Sequence, residues 1–174
     1  MITVISGTNR PEALTPSIAH QYFKIIGHRY PAMPTRFIDL RDLPGDFTGR
    51  AYASESPIAQ MQETIDQSSH LAWIFPEYNG SFPGVLKFFL DGLRYPDTLP
   101  GKKGTMMALG AGRQGGALAM SHLNDILAYM GMFIGPLRIR VPRVYELLDA
   151  SQTLTDKELV SLMEAQIDQL VQWS

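Results

Sequence analysis

Leu71-Ala72-Trp73-Ile74-Phe75 is apolar at five consecutive positions, and Pro76-Glu77-Tyr78-Asn79-Gly80 ends the run at once. A strand with one wet face alternates polar and apolar side chains. An unbroken apolar run is what a parallel strand shows when helices cover both faces of its sheet. After the turn, Pro83 opens a helix whose Val85, Leu86, Phe88, Phe89 and Leu90 are apolar nearly all round. Such a helix is buried in the core or in a subunit contact. A buried strand leading into a buried helix predicts an α/β architecture.

The pattern repeats on either side. Residues 2–6 (Ile2-Thr3-Val4-Ile5-Ser6) read as a buried first strand ending at Gly7. Thr15-Pro16 predicts a capping hydroxyl and first-turn proline for a helix with Ile18, Tyr22, Ile25 and Ile26 on one face and Gly27 at its end. Arg36-Phe37-Ile38-Asp39-Leu40 is a second strand, and residues 41–55 a long loop. Ser56-Pro57 repeats the cap-then-proline signal ahead of Ile58, Met61 and Ile65. Residues 104–110 form the fourth strand. A helix over about 116–130 carries Leu118, Leu123, Ile126, Leu127 and Met130. Met132-Phe133-Ile134 begins the fifth strand, in which Leu137, Ile139 and Val141 alternate with Arg138 and Arg140. Thr155-x-x-Glu158 is a capping-box pattern opening a last helix striped with Leu159, Leu162, Met163, Ile167, Leu170 and Val171. Five strands interleaved with five helices predict an open doubly wound sheet with helices on both faces. No linker or repeat interrupts it, so residues 1–174 are expected to form one domain.

Composition narrows the chemistry. The 174 residues contain no cysteine, which removes thiol nucleophiles, thiolate zinc sites, Fe–S clusters and disulfides together. Fifteen Lys and Arg against 17 Asp and Glu give a formal charge of −2, which argues against nucleic acid or an anionic membrane as partner. Apolar residues at 45% exclude disorder, and charged residues at only 18% suit either a large core or a surface hidden in an oligomer. The N-terminus has no basic start and no targeting signal, so a cytoplasmic protein is expected.

In an open α/β sheet, ligands sit beyond the carboxyl ends of the strands. The loops after strands one, three and four are therefore the candidates: residues 6–10, 76–80 and 110–116. The first offers Thr8, Asn9 and Arg10 and leads to a helix N-terminus with Thr15 and Ser17, a set suited to a phosphate but also to an ordinary strand–helix turn. The second has a tyrosine, carbonyls and N–H groups suited to a heterocycle, with Gly80 making a tight turn, but suited equally to a plain turn with a stacked tyrosine. The third holds Gly110-x-Gly112-x-x-Gly115, formally a dinucleotide fingerprint. It follows the wrong strand, however, and no Asp or Glu lies between Asp125 and Glu146 to hold a ribose. Its glycines instead suggest close backbone approach to a flat ligand.

Rival chemistries find less support. The only Gly-Lys pair, Gly101-Lys102, lacks a Walker context. His20, His28, His70 and His122 show no metal-ligand spacing. Ser81 is one residue off a nucleophile elbow and has no evident histidine partner. Arg138, Arg140 and Arg143 with Tyr145 read as an exposed strand face.

Together, Ser6-Gly7-Thr8-Asn9-Arg10, Pro76-Glu77-Tyr78-Asn79-Gly80-Ser81-x-Pro83-Gly84-x-Leu86-Lys87-x-x-x-Asp91 and Gly110-x-Gly112-x-x-Gly115-Gly116 resemble the NAD(P)H-dependent FMN reductase family, which includes chromate, quinone and azo-dye reductases. The resemblance implies a flavodoxin-like three-layer fold with strand order 2-1-3-4-5. It implies FMN as bound cofactor, NAD(P)H as co-substrate, a small-molecule electron acceptor, and a homodimer or homotetramer. On that likeness Thr8, Arg10 and Thr15 hold the FMN phosphate, with Asn9 and Ser17 close by. Pro76, Glu77, Tyr78, Asn79 and Gly80 line the flavin ring edge and ribityl chain. Gly110, Gly112, Arg113, Gly115 and Gly116 border its other side and the nicotinamide nucleotide. Flavin carries the chemistry, so no catalytic side chain is required. Two positions depart from the pattern: Ala13 stands where a serine is common, and Gly92 where tryptophan often follows the aspartate.

Overall fold

The computed structural model describes residues 1–43 and 57–173. The expected loop over 41–55 lies largely outside the described residues, and so does the predicted cap Ser56. In chain order the elements are β1 (Ile2–Ser6), α1 (Thr15–Arg29), β2 (Thr35–Asp39), α2 (Pro57–Gln67), β3 (His70–Pro76), α3 (Gly84–Gly92), β4 (Lys103–Leu109), α4 (Ala117–Tyr129), β5 (Phe133–Ile134), β6 (Ile139–Val141) and α5 (Lys157–Gln172). The strands pair in the order β2-β1-β3-β4-β5, all parallel, with β6 also on β4. This is the flavodoxin-like order that the resemblance implied.

Strand residues alternate between two cores, as the period of two requires. Leu71, Trp73 and Phe75 pack with α2, α3 and α4, whereas Ala72 and Ile74 pack with α1 and α5. All five are at most 1% exposed, which accounts for the unbroken apolar run. On α3, Val85, Leu86, Phe89 and Leu90 are buried in this core.

Several boundaries differ from expectation. Thr15 is the first helical residue of α1 rather than its cap. Leu14 holds the cap position and makes no side-chain cap, and the helix runs past Gly27 to Arg29. Asp156, not Thr155, caps α5, accepting the Leu159 N–H at 2.9 Å. Leu118 and Leu162 are 55% and 41% exposed and leave their apolar stripes.

The fifth strand is divided into β5 and β6. Pro136 has no N–H to give a ladder, and the chain detaches from β4 there. Gln166 of α5 repairs the gap: its Nε2 donates to the carbonyls of Met106 (3.1 Å) and Leu137 (2.7 Å), while its Oε1 accepts the Tyr22 hydroxyl at 3.1 Å. Burial holds the Tyr22 phenol far above its ordinary pKa, so it remains a neutral donor.

Candidate functional site

The parallel strands end at one edge, with Ser6 of β1 level with Ile74 of β3. The loops leaving β1, β3, β4 and β6 meet beyond that edge around a cavity of about 320 Å³. Its walls include Arg10 and Thr15 from the first loop, Glu77 and Tyr78 from the second, and Ala111 from the third.

Behind the wall, Thr8 is fully buried and accepts the Arg10 backbone N–H at 3.2 Å. Its hydroxyl shares a 3.1 Å hydrogen bond with the Tyr78 phenol. The Arg10 guanidinium lies over the Tyr78 ring, 5.7 Å from its centre. This contact keeps a permanent cation at the mouth. Thr15, 1% exposed, lies in the first turn of α1, and no side chain caps that turn. Its unpaired N–H groups and the positive end of the helix dipole favour an anion.

The middle loop is a hairpin in miniature. Tyr78 N–H donates to the Ser81 carbonyl at 2.8 Å, and Ser81 N–H donates back to Tyr78 at 3.1 Å. Between them Asn79 and Gly80 both take positive φ, 51° and 78°, the geometry that Asn-Gly favours. The Glu77 carboxylate turns away and accepts the Ala119 N–H at 3.4 Å, in the first turn of α4. Glu77 thus steadies a helix while its backbone remains in the cavity wall.

The glycines of the third loop meet protein rather than open space. A Cβ on Gly110 would lie 2.7 Å from the Gly116 nitrogen, one on Gly115 2.8 Å from Pro142, and one on Gly116 2.6 Å from the Ala108 Cβ. Only Gly112 among the four has nothing within 4 Å. Pro76 sits in the wall, and Arg113 is exposed on the loop beyond it.

Not every expected residue converges. Ser17 faces another cleft, where it donates to Gln152 at 3.0 Å, and Thr8, Asn9, Asn79, Gly80, Gly110, Gly112, Arg113, Gly115 and Gly116 do not line the cavity. Val144 and Tyr145 do line it, and sequence reasoning missed them because their loop follows the edge strand. Ser81 has a histidine partner after all: its hydroxyl lies 3.0 Å from His122 Nδ1. His122 makes no further hydrogen bond among the described residues, so no carboxylate orients it as a hydrolytic triad requires. No group of three metal-ligating side chains occurs among the described residues.

Residues 1–139 match the family model for NADPH-dependent FMN reductase. The chain belongs to that family. It is accordingly an oxidoreductase of the FMN reductase and quinone reductase type, with NAD(P)H as substrate and FMN as flavin cofactor. Among family relatives, it is 26% identical to a 2-hydroxy-1,4-benzoquinone reductase of Burkholderia sp, over 99% of this chain and 94% of the relative. It is 28% identical to an NAD(P)H-dependent FMN reductase of Pseudomonas aeruginosa, over 85% and 82%. Two solved structures share the fold. FerB, a flavoenzyme NAD(P)H:(acceptor) oxidoreductase from Paracoccus denitrificans, aligns with a TM-score of 0.78 at 23% identity, covering 99% of this chain and 95% of FerB. An NADH:FMN oxidoreductase aligns at 0.79 and 23%, covering 97% and 87%.

The donors fit a flavin mononucleotide. A helix N-terminus without a side-chain cap, a buried hydroxyl and a guanidinium suit its phosphate, and a hairpin of exposed backbone suits the polar edge of its ring. Among the described residues no helix is long and apolar enough to cross a membrane.

Proposed function

We propose that the cavity is the FMN site and that the protein reduces small acceptors with electrons from NAD(P)H. The observation that carries this reading is the convergence of Thr15, Arg10 and Tyr78 on one cavity at the uncapped N-terminus of α1. Thr8, Arg10 and Thr15 hold the phosphate, and Arg10 supplies the charge that the N–H groups lack. Pro76, Glu77, Tyr78, Asn79 and Gly80 support the ring through main-chain atoms. Gly110, Gly112, Arg113, Gly115 and Gly116 form its opposite border. Asn9 adjoins Arg10 in the same loop but lies outside the cavity wall, and Ser17, engaged with Gln152 in the neighbouring cleft, is left out of the site. Bound FMN supplies the hydride chemistry, while these residues bind, orient and exclude water.

The acceptor class comprises quinones, azo compounds, metal oxyanions and free flavin. Quinones lead it, because a curated relative of nearly equal length is a benzoquinone reductase. The protein acts in the cytoplasm as a homodimer or homotetramer of single-domain subunits. The exposed Tyr95–Tyr129 stack, 6.2 Å between ring centres, supports a subunit contact.

Purification with added FMN, followed by absorbance and by NADPH oxidation with a benzoquinone, tests the assignment. A yellow protein that consumes NADPH only with quinone present is expected. A colourless protein that FMN does not saturate contradicts it, and a yellow protein inert to both dinucleotides indicates an electron carrier.

A further inference from the structure

The loops after β4 and β6 are joined into one surface. Gly112 accepts the Arg143 N–H at 3.1 Å, Gly110 accepts the Val144 N–H at 3.1 Å, and Gly110 donates to Val141 at 3.0 Å. At Gly115 a Cβ would lie 3.2 Å from the Cβ of Arg140. Arg113 is thereby brought beside Arg140 and Arg143, which are distant in sequence, and all three are exposed on this joined surface next to the cavity.

Their charge is nearly unopposed. The guanidinium groups of Arg113 and Arg140 make no hydrogen bond or ion pair among the described residues, and that of Arg143 pairs only with surface Glu146 at 3.3 Å. No acidic residue lies between Asp125 and Glu146 in a protein of net charge −2. Arg143 is also held at φ 48°, a left-handed conformation that costs a non-glycine residue about 1–2 kcal/mol. Next to it Tyr145 is 69% exposed at the cavity mouth.

Planar guanidinium groups pair with phosphate oxygens in bidentate fashion, and an exposed phenol ring offers a stacking face to a purine. The patch spans the loops after β4 and β6 and adjoins the cavity at Tyr145, the side from which a dinucleotide entering the cavity would present its second half. We propose that Arg113, Arg140 and Arg143, with Tyr145, form the subsite for the phosphate-bearing adenosine half of NADPH and select it over NADH. Arg140, Arg143 and Tyr145 lie just beyond the residues that match the family. The proposal rests on the FMN reductase reading and deepens it.

The test is calorimetric titration of the FMN-loaded protein with 2′,5′-ADP and with 5′-AMP, which differ by the 2′-phosphate. Charge-assisted hydrogen bonds of the expected strength make 2′,5′-ADP bind roughly tenfold or more tightly than 5′-AMP. In Arg140→Ala that preference falls to about twofold, and the NADPH-to-NADH ratio of kcat/KM falls about tenfold with it. Arg140→Lys, which keeps the charge, retains much of both. Equal binding of the two nucleotides to the unmodified protein overturns the subsite. So does an Arg140→Ala variant that loses turnover of an anionic hydroxyquinone while its nucleotide preference stands, because the patch then serves the acceptor. The same titration on protein without FMN separates the two readings. A 2′-phosphate preference there, in a protein that never takes up FMN, would sink the flavin assignment and leave the subsite standing.

Discussion

Arg10 illustrates how one residue serves two ends of the site through its main chain and its side chain. Its backbone N–H fixes Thr8, and its guanidinium covers Tyr78 from above. Removing it takes away the only formal cation in the cavity wall among the described residues while leaving the loop's main chain in place. Arg10→Ala is expected to weaken FMN binding by roughly tenfold or more, as loss of a charge-assisted phosphate contact does, measured by flavin fluorescence quenching. Unchanged affinity would remove the phosphate from this loop. Gly116 is set by a different rule. It stands at φ 80°, and any Cβ would press on Ala108 at 2.6 Å. Gly116→Ala is therefore expected to destabilise by about 2–3 kcal/mol, lowering Tm by roughly 4–12 °C. A thermal melt within a degree of wild type would show that α4 can start without this contact.

At the scale of elements, α5 does more than cover the sheet. Gln166 occupies a buried position on that helix and closes the break between β5 and β6 by serving two carbonyls and a phenol. Gln166→Leu takes a donor from the Met106 and Leu137 carbonyls, of which Leu137 keeps the Thr105 hydroxyl at 3.3 Å, and leaves the Tyr22 phenol buried without its acceptor. It should lower stability by about 3 kcal/mol, a Tm decrease of roughly 6–12 °C by calorimetry. A neutral effect would mean that water or a shifted strand satisfies them. The apolar stripe of α5 was legible from its spacing, but this glutamine was not. Its role depends on a proline thirty residues earlier. The α5 cap passed from Thr155 to Asp156 for a related reason. Both residues fit a capping pattern, and Thr155 is instead engaged with the Leu147 carbonyl, at 3.5 Å.

Across the whole molecule, the N-terminal edge of the sheet and the end of α5 are tied at His70. Its Nε2–H donates to the Trp173 carbonyl at 3.0 Å, and its Nδ1 accepts the Ser69 hydroxyl at 2.8 Å, so the neutral tautomer is the one that fits. Lys103 joins the same carbonyl at 3.3 Å. Burial, aided by the charges of Lys103 and the N-terminus, holds the His70 pKa below 6.5, against the raising effect of the Trp173 hydrogen bond. The unfolded chain thus binds the proton more readily than the folded one. The contribution to stability is complete above about pH 6.5 and is lost as the pH falls toward the lower, folded value. Tm should fall between about pH 7.5 and about pH 5.5, and His70→Gln should flatten that decline. Identical slopes in both proteins would assign the pH dependence elsewhere.

Local pattern was sufficient for much of this. An unbroken apolar run marks a strand covered on both faces, helical spacing marks the packed faces, and Asn79-Gly80 marks the tight turn, since each is set by neighbours in the chain. The family motifs likewise sit on contiguous loops. Convergence is a different matter, because it arises between residues that only the folded sheet brings together. Thr8 meets Tyr78, 70 residues away. Gly115 and Gly116 after β4 are pressed against Pro142 and Ala108, neighbours that the chain order does not reveal. Ser17 looks equivalent to Thr15 along the chain but turns toward Gln152. The arginines around residue 140 looked like an exposed strand face and became one patch with Arg113 only through the backbone hydrogen bonds between two loops. Periodicity reports which face of an element is buried; which loop ends meet depends on how the sheet stacks them, and that is a property of the tertiary structure.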